Sequence, residues 1–399
     1  MPNHPLPRTV WILGLVSFFN DLASEMVTPF VPILIATVLG AGPVILGLVE
    51  GMADSVASLL RLWAGRYSDQ KHGRRKQLTI FGYALSNLAR PLISLASGWL
   101  ALLLLRSMDR VGKGIRSAPR DALLVAAVAK HHHGYAYGVQ RALDNAGGMG
   151  GSLLAIAALT WGGLSIQQVI SWSALPGVLV LGLLIWGVRE PPHTAAAAAT
   201  PPPAIPLNRE RLSPATRYYL NVLALFTFAR ASEGFILLLG HELGLSVVQI
   251  LLLWATLNVC KAATSSYGGR LADAFGLNKL TLIGWSGYGL SFIALSQVGT
   301  IEWLWAVVIV YGLITGLSEG SERALISVYA HDGERGTAFG WYHLTVGLSA
   351  IPAGLLFGGI WHYLGAGTAF LAAGLLALLC VWLLRLRGSA QAAEKHGDG

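Results

Sequence analysis

The sequence predicts an all-α membrane protein: twelve transmembrane helices in two six-helix bundles related by a parallel pseudo-two-fold repeat. Three observations lead there. Of the 399 residues, 54% are hydrophobic and only 12% charged, half the roughly 25% charged residues of a soluble globular domain. Apolar runs of about the 20 residues needed to cross a bilayer recur along the whole chain. Lysine and arginine are confined to alternate connections between those runs. The composition argues against a soluble enzyme, a disordered protein and a nucleic-acid binder, because a chain this long keeps too little polar surface to stay in water.

Taken in order, spans 1 to 6 fall near 9–36, 44–66, 77–97, 99–120, 135–160 and 167–188. Spans 7 to 12 fall near 217–240, 246–268, 280–299, 303–325, 336–359 and 365–386. Lipid satisfies no backbone group, so each run is a helix or a barrel strand. Their continuity excludes the roughly ten-residue alternating strands of a barrel. One set of connections holds Arg66, Lys71, Arg74, Arg75, Lys76, Lys130, Arg189, Arg209, Arg211, Arg270, Lys279 and Arg335. The opposite set, near 37–43, 98, 161–166, 241–245, 300–302 and 360–364, holds no lysine or arginine. This asymmetry predicts that both termini are cytoplasmic, and it explains the net charge of +8 without nucleic acid. No cleavable signal peptide is expected, since the apolar run from Val10 is too long for one. Cys260 and Cys380 sit inside apolar runs and read as packing residues.

Between 189 and 216 the composition changes: prolines such as Pro191, Pro202 and Pro206 flank the run Ala195 to Ala199. The segment reads as a cytoplasmic linker. It divides the chain into an N-terminal bundle (1–188), the linker (189–216), a C-terminal bundle (217–386) and a cytoplasmic tail (387–399). The bundles are internal repeats. Gly65-Arg66-Tyr67-Ser68-Asp69 recurs as Gly269-Arg270-Leu271-Ala272-Asp273, and Gly134-Tyr135-Ala136-Tyr137-Gly138 as Gly336-Thr337-Ala338-Phe339-Gly340. Ala23-Ser24-Glu25 is echoed by Ala231-Ser232-Glu233. An even number of spans per half makes the repeats parallel, a plan of secondary transporters.

With those residues in hand, the chain resembles the major facilitator superfamily over nearly its full length. Gly269-x-Leu271-Ala272-Asp273-x-x-Gly276 fits that family's loop signature between the second and third helices of a half. The first-half copy departs from it, with Gly73 one residue late before Arg74-Arg75-Lys76. Asp109-Arg110-Val111-Gly112-Lys113-Gly114-Ile115-Arg116, Pro119-Arg120-Asp121 and Glu319-Gly320-Ser321-Glu322-Arg323-Ala324-Leu325 are similar to a bacterial permease subgroup. The resemblance implies alternating access and a bacterial inner-membrane location, and leaves the cargo open. It also implies that spans 1, 4, 7 and 10 line the cavity, and that spans 2, 5, 8 and 11 form the bundle interface. Spans 3, 6, 9 and 12 face lipid in that plan. In span 5, Gly147-Gly148-Met149-Gly150-Gly151-Ser152 has the glycines of an antiporter run without its proline, and reads as close helix packing.

Ionisable residues inside a membrane are costly and need a reason. Asp21 and Glu25, one turn apart on span 1, and Asp54 of span 2 are the candidates for proton coupling. Span 4 carries Arg106, Asp109, Arg110, Lys113, Arg116 and Arg120 on one stripe. One acid does not neutralise so many bases, so the stripe points to an anionic or carboxylate-bearing cargo held by planar guanidinium forks. Arg106, Asp109, Arg110, Lys113, Arg141, Arg230, Lys261 and His343 are the candidate substrate-binding residues. Asp69, Arg74, Arg116, Arg120, Asp273, Glu319 and Glu322 are candidate gating residues, with Arg116, Arg120 and Asp121 facing Glu319 or Glu322. Alternatives stand beside these. Asp54 is free to pair with Arg141, Arg110 or Lys261, and Arg230 with Glu233. His131-His132-His133 is a poor metal tract, since consecutive side chains diverge. No phosphate-cradling lysine loop and no nucleophile–base pair is visible. The expectation is a proton-driven, functionally monomeric transporter of a small organic anion, in contact with lipid, with no cofactor or metal. Its alternative is an exporter of drug-like cations. A solute receptor and a membrane-embedded enzyme are the rivals from other classes.

Overall fold

The computed structural model describes residues 7–70, 75–128, 133–188, 208–330 and 335–397. Among these, all regular structure is helical. In chain order the helices are α1 (Arg8–Glu25), α2 (Phe30–Ile33), α3 (Pro43–Gln70), α4 (Arg75–Leu92), α5 (Trp99–Ala126), α6 (His133–Thr160), α7 (Ile166–Trp172) and α8 (Ala174–Gly182). Then come α9 (Pro214–Ala229), α10 (Gly234–Glu242), α11 (Val247–Phe275), α12 (Leu277–Leu295), α13 (Ile301–Tyr329), α14 (Arg335–Leu364) and α15 (Ala366–Gly397). Each predicted span has its helical segment. Spans 1, 6 and 7 are each built from two pieces, α1 with α2, α7 with α8, and α9 with α10. The linker expected at 189–216 lies outside the described residues as far as 207. The tail expected from 387 continues α15 as helix through Gly397.

Local chemistry sets the ends. Ser213 caps α9 by accepting from the Thr216 amide, with Pro214 in the first turn, where its missing N–H leaves no bond unmade. Thr300 caps α13 through the Trp303 amide, and Ser165 and Gln168 form a capping box at α7. Gly276 alone separates α11 from α12, at φ +83°, a left-handed conformation that a side chain resists. It is the last glycine of the second-half loop signature.

Among the described residues, eight helical segments are long and apolar enough to cross a membrane by length and composition. Those left over are α4, α5, α6 and α12. The polar load that disqualifies α5 is the basic stripe itself, and this marks it as a helix with work beyond anchoring. Trp11, Trp99, Trp161 and Trp303, near the span ends, are all exposed, as interfacial anchors are.

The chain divides into two compact units. The first draws on Met1–Gly40, Met52–Ile205 and Val247–Ala255; the second on Ala41–Gly51, Pro206–Ser246 and Thr256–Gly399. Within the first, a core of Val10, Leu13, Val16, Tyr83, Leu124, Ala136, Val180 and Leu184 joins α1, α4, α5, α6 and α8. Lipid offers no hydrophobic drive between helices, so close approach is bought with small residues. A Cβ on Gly147 or Gly151 of α6 would stand 2.1 Å from the Phe18 carbonyl oxygen or 2.4 Å from that of Leu22, both on α1. The glycine run is therefore a packing surface for α1. Gly82 and Gly112 let α4 cross α5 in the same way. In the second unit, Gly289 and Gly374 do so for α12 and α15, and Gly47 and Gly354 for the start of α3 and α14.

Candidate functional site

The first helix of each half is interrupted, and both interruptions fall at the repeated Ala-Ser-Glu. α1 ends at Glu25, and a turn over Met26–Pro29 precedes α2. Thr28 Oγ1 donates to the Ser24 carbonyl at 3.0 Å, and Pro29 has no N–H to continue the helix. α9 ends at Ala229, Arg230 is extended (φ −80°, ψ 93°), and α10 resumes at Gly234. Tyr288 of α12 serves the freed backbone: its hydroxyl donates to the Ala229 carbonyl (3.2 Å) and accepts from the Ala231 amide (3.0 Å). Non-helical backbone at membrane depth survives only where protein or a wet cavity satisfies it. Paired interruptions in two repeats are the structural pointer to a transport site.

In the first unit, charge gathers on α5 below the α1 break. Asp109 is 1% exposed. Arg90 of α4 donates Nε–H to its Oδ1 at 2.9 Å, and the same guanidinium donates to the Asn20 carbonyl, to Asn20 Oδ1 and to Asn87 Oδ1 at 3.0–3.2 Å. Arg106 and Arg110 stand 3.9 and 3.8 Å from Asp109 Oδ2. Arg116, 4% exposed, donates to Ser86 Oγ at 2.6 Å and lies over the Tyr83 ring. Lys113 is within electrostatic reach of Asp21, Glu25 and Arg110. Asn20 Nδ2 donates to Asp21 Oδ1 at 2.9 Å, and the Trp254 indole of α11 donates to Glu25. Arg90, Arg106, Arg110, Lys113 and Arg116 thus gather near Asp21, Glu25 and Asp109.

In the second unit the charges pair differently from the expectation. Within a continuous helix, Arg230 and Glu233 at i, i+3 would meet. The break lies between them, so they diverge. Arg230 bonds Glu322 of α13, and Glu233 accepts from Lys261 of α11. Glu322 also accepts from Trp285 Nε1 (3.1 Å) and the Tyr342 hydroxyl (2.9 Å), and its carbonyl accepts from Tyr219 (2.9 Å). Glu233 takes a second donor, the Tyr311 hydroxyl at 3.1 Å.

Arg120 is held by Asp121 through two bonds (3.0 and 2.9 Å) and donates to Ser17. Asp54 and Arg141 are exposed on α3 and α6, and His343 is half-buried, edge-on to Tyr342. Arg74, His131 and His132 lie outside the described residues, as do the side chains of Asp69, His133, Asp273 and Glu319. Among the described residues no His, Cys, Asp and Glu group could hold a metal. Sequence reasoning passed over Asn20, Trp254, Trp285, Tyr288, Tyr311 and Tyr342, because a phenol or indole in an apolar span looks like packing. The signal that was available is Arg90, the lone charge of its span.

Comparison with known proteins adds family and fold. Residues 13–238 and 220–398 each match the family model described as Major Facilitator Superfamily. An uncharacterised MFS-type transporter of Methanocaldococcus jannaschii is 30% identical over 96% of this chain and 95% of its own. An uncharacterised protein of Mycobacterium tuberculosis is 26% identical over 95% of this chain and 93% of its own. Among solved structures, a POT family transporter in complex with a thioalcohol-conjugated peptide superposes with a TM-score of 0.78 at 11% identity, covering 96% of both chains.

Proposed function

Because the chain belongs to the Major Facilitator Superfamily of membrane transporters, matched over both of its halves, we propose that it is a secondary active transporter of a small organic anion. It works by alternating access in the bacterial inner membrane, and the proton gradient drives it. The observation that carries the anion is the gathering of guanidinium and ammonium groups, Arg90, Arg106, Arg110, Lys113 and Arg116, on α5 and its neighbours. A carboxylate arriving there gains charge-assisted hydrogen bonds. Arg110, with 13% of its side chain exposed, is the member of the cluster best placed to meet solute, and a carboxylate matches its planar fork. One charge crossing 100 mV exchanges about 2.3 kcal/mol, so a proton moving with a singly charged anion carries no net charge and draws on the pH difference alone.

Two measurements test this. A thermal-shift panel of carboxylates, phosphorylated metabolites and cationic drugs identifies a ligand, since what binds the folded state stabilises it. Uptake of that ligand into proteoliposomes then separates a transporter from a receptor or an enzyme. Arg110→Lys keeps the charge and loses the fork, so carboxylate affinity falls about tenfold or more. A cationic drug preferred over every carboxylate, bound equally by Arg110→Lys, overturns the anion and supports the export of cations past Asp21 and Glu25.

A further inference from the structure

The entry to α9, in the second unit, builds a groove that none of the charge clusters above uses. Arg209–Arg211 forms one turn of 3₁₀ helix ahead of α9, capped by the Asn208 side chain, which accepts from the Glu210 amide at 2.9 Å. Pro214, Arg217, Tyr218 and Asn221 then follow at the i, i+3, i+4 and i+7 positions of α9, which share one face of a helix. Turn and face border an open groove of about 680 Å³, lined by those four residues with Arg209 and Glu210. Arg209 folds back onto α9. Its Nη2 donates to Asn221 Oδ1, and its guanidinium lies over the Trp341 ring of α14, 5.7 Å from the centroid. Held at two points, this guanidinium keeps further N–H groups to offer, and Asn221, its side-chain carbonyl engaged, offers N–H donors as well. Arg217 is exposed.

The depth of the groove narrows what enters it. Membrane-length apolar segments begin at Pro214 on α9 and at Thr337 on α14, and another ends at Leu386 on α15. The Tyr218 hydroxyl ties α9 to α15 by donating to the Leu383 carbonyl at 2.7 Å. Three segment ends therefore meet here, which is headgroup level in a bilayer. Trp382 and Leu386 of the same stretch of α15 are exposed apolar side chains, surface for acyl chains. Two arginines less one carboxylate, Glu210, give the lining a single net positive charge. A lipid phosphodiester with an uncharged headgroup neutralises that charge; a zwitterionic headgroup does not.

We propose that this groove binds the phosphodiester of an anionic glycerophospholipid, with Arg209, Arg217 and Asn221 donating to its phosphate oxygens. Inorganic phosphate and glycerophosphoglycerol share that chemistry but lack the acyl chains that the depth of the groove calls for. The site is independent of the transporter reading.

Native mass spectrometry of the full-length protein, stripped of lipid in detergent, tests it by titration with palmitoyl-oleoyl-phosphatidylglycerol and palmitoyl-oleoyl-phosphatidylethanolamine. The parent chain is expected to hold phosphatidylglycerol more tightly than phosphatidylethanolamine. R209Q and R217Q each lower that affinity about fivefold, the usual worth of one basic residue beside an anionic lipid surface. E210Q removes a like charge and raises it. R8Q, at the exposed start of α1, leaves it unchanged. If R209Q folds poorly after losing its hold on Asn221 and Trp341, R217Q and E210Q carry the test, since both positions are exposed. Phosphatidylglycerol bound with parent affinity by R217Q and E210Q overturns the proposal, and so does phosphatidylethanolamine bound equally well by the parent. Displacement of the lipid by inorganic phosphate or glycerophosphoglycerol at equal concentration overturns it too, by assigning the groove to a soluble phosphate.

Discussion

The Arg90–Asp109 pair sets the terms at the level of single residues. Both side chains are almost wholly buried, at 3% and 1% exposed, and one guanidinium reaches α1 and α5 at once through Asn20 and Asp109. Removing one partner of a buried pair leaves an uncompensated charge, which costs about 3–5 kcal/mol. Arg90→Ala is therefore expected to lower the apparent melting temperature steeply and reduce folded protein. Arg90→Lys falls between the two, since an ammonium cannot span both helices as a planar fork does. Equal melting of all three proteins would remove Arg90 as an anchor. The sequence made the residue types legible: the stripe from Arg106 to Arg120 could be read from spacing alone, because i, i+3 and i+4 positions share a helix face. Which acid meets which base was not legible. Pairing across helices depends on how each helix is rotated, and Arg230 and Glu233 were separated by a break that spacing rules do not see.

At the level of elements, hydropathy found the spans because a twenty-residue apolar run has few alternatives in lipid. The interruptions in spans 1 and 7 escaped it, since each is only four residues, Met26–Pro29 and Arg230–Glu233, inside a much longer apolar run. Pro29 and Gly234 beside a repeated Ala-Ser-Glu were the visible trace. If Tyr288 holds the second break open, Tyr288→Phe strips a hydroxyl that both donates and accepts there. Ala231 and Ala229 then keep only their own amide-to-carbonyl bond at 3.1 Å; a lost hydrogen bond costs about 0.5–1.5 kcal/mol, so the variant melts earlier, and hydrogen exchange at Ala231 speeds up. Unchanged exchange at Ala231 would mean that something else serves the break. A paired substitution in α6 tests the packing account. Gly147→Ala forces a Cβ to within 2.1 Å of the Phe18 carbonyl oxygen, while nothing lies within 4 Å of a Cβ at Gly138. The first is expected to destabilise by about 1–3 kcal/mol through overpacking. The second is neutral or stabilises by about 0.5–1 kcal/mol, the usual gain of alanine over glycine inside a helix. Equal melting of the two variants would show that α1 and α6 do not approach as closely as drawn.

For the molecule as a whole, the distribution of lysine and arginine predicts an orientation. The connections near 161–166, 241–245, 300–302 and 360–364 hold no lysine or arginine, whereas those on the other side hold Arg75, Lys76, Arg209 and Lys279 among others. Each positive charge carried outward against a potential of 100 mV costs about 2.3 kcal/mol, so an inverted molecule pays that sum many times over. This rule was legible in the sequence because it depends on counting and not on packing. It predicts the side of every connection, including those whose structure is outside the described residues. Two exposed positions test it in a background with Cys260→Ala and Cys380→Ala. Gly299, with open space around its Cβ site, lies between α12 and α13 on the charge-free side. Ala274, exposed in the last turn of α11, lies on the basic side. In intact cells, a membrane-impermeant maleimide is expected to label Gly299→Cys readily and Ala274→Cys only after permeabilisation. The reverse pattern inverts the topology, placing both termini outside. Labelling of both positions in sealed cells shows a mixed orientation, in which case the charge asymmetry does not govern insertion of this chain.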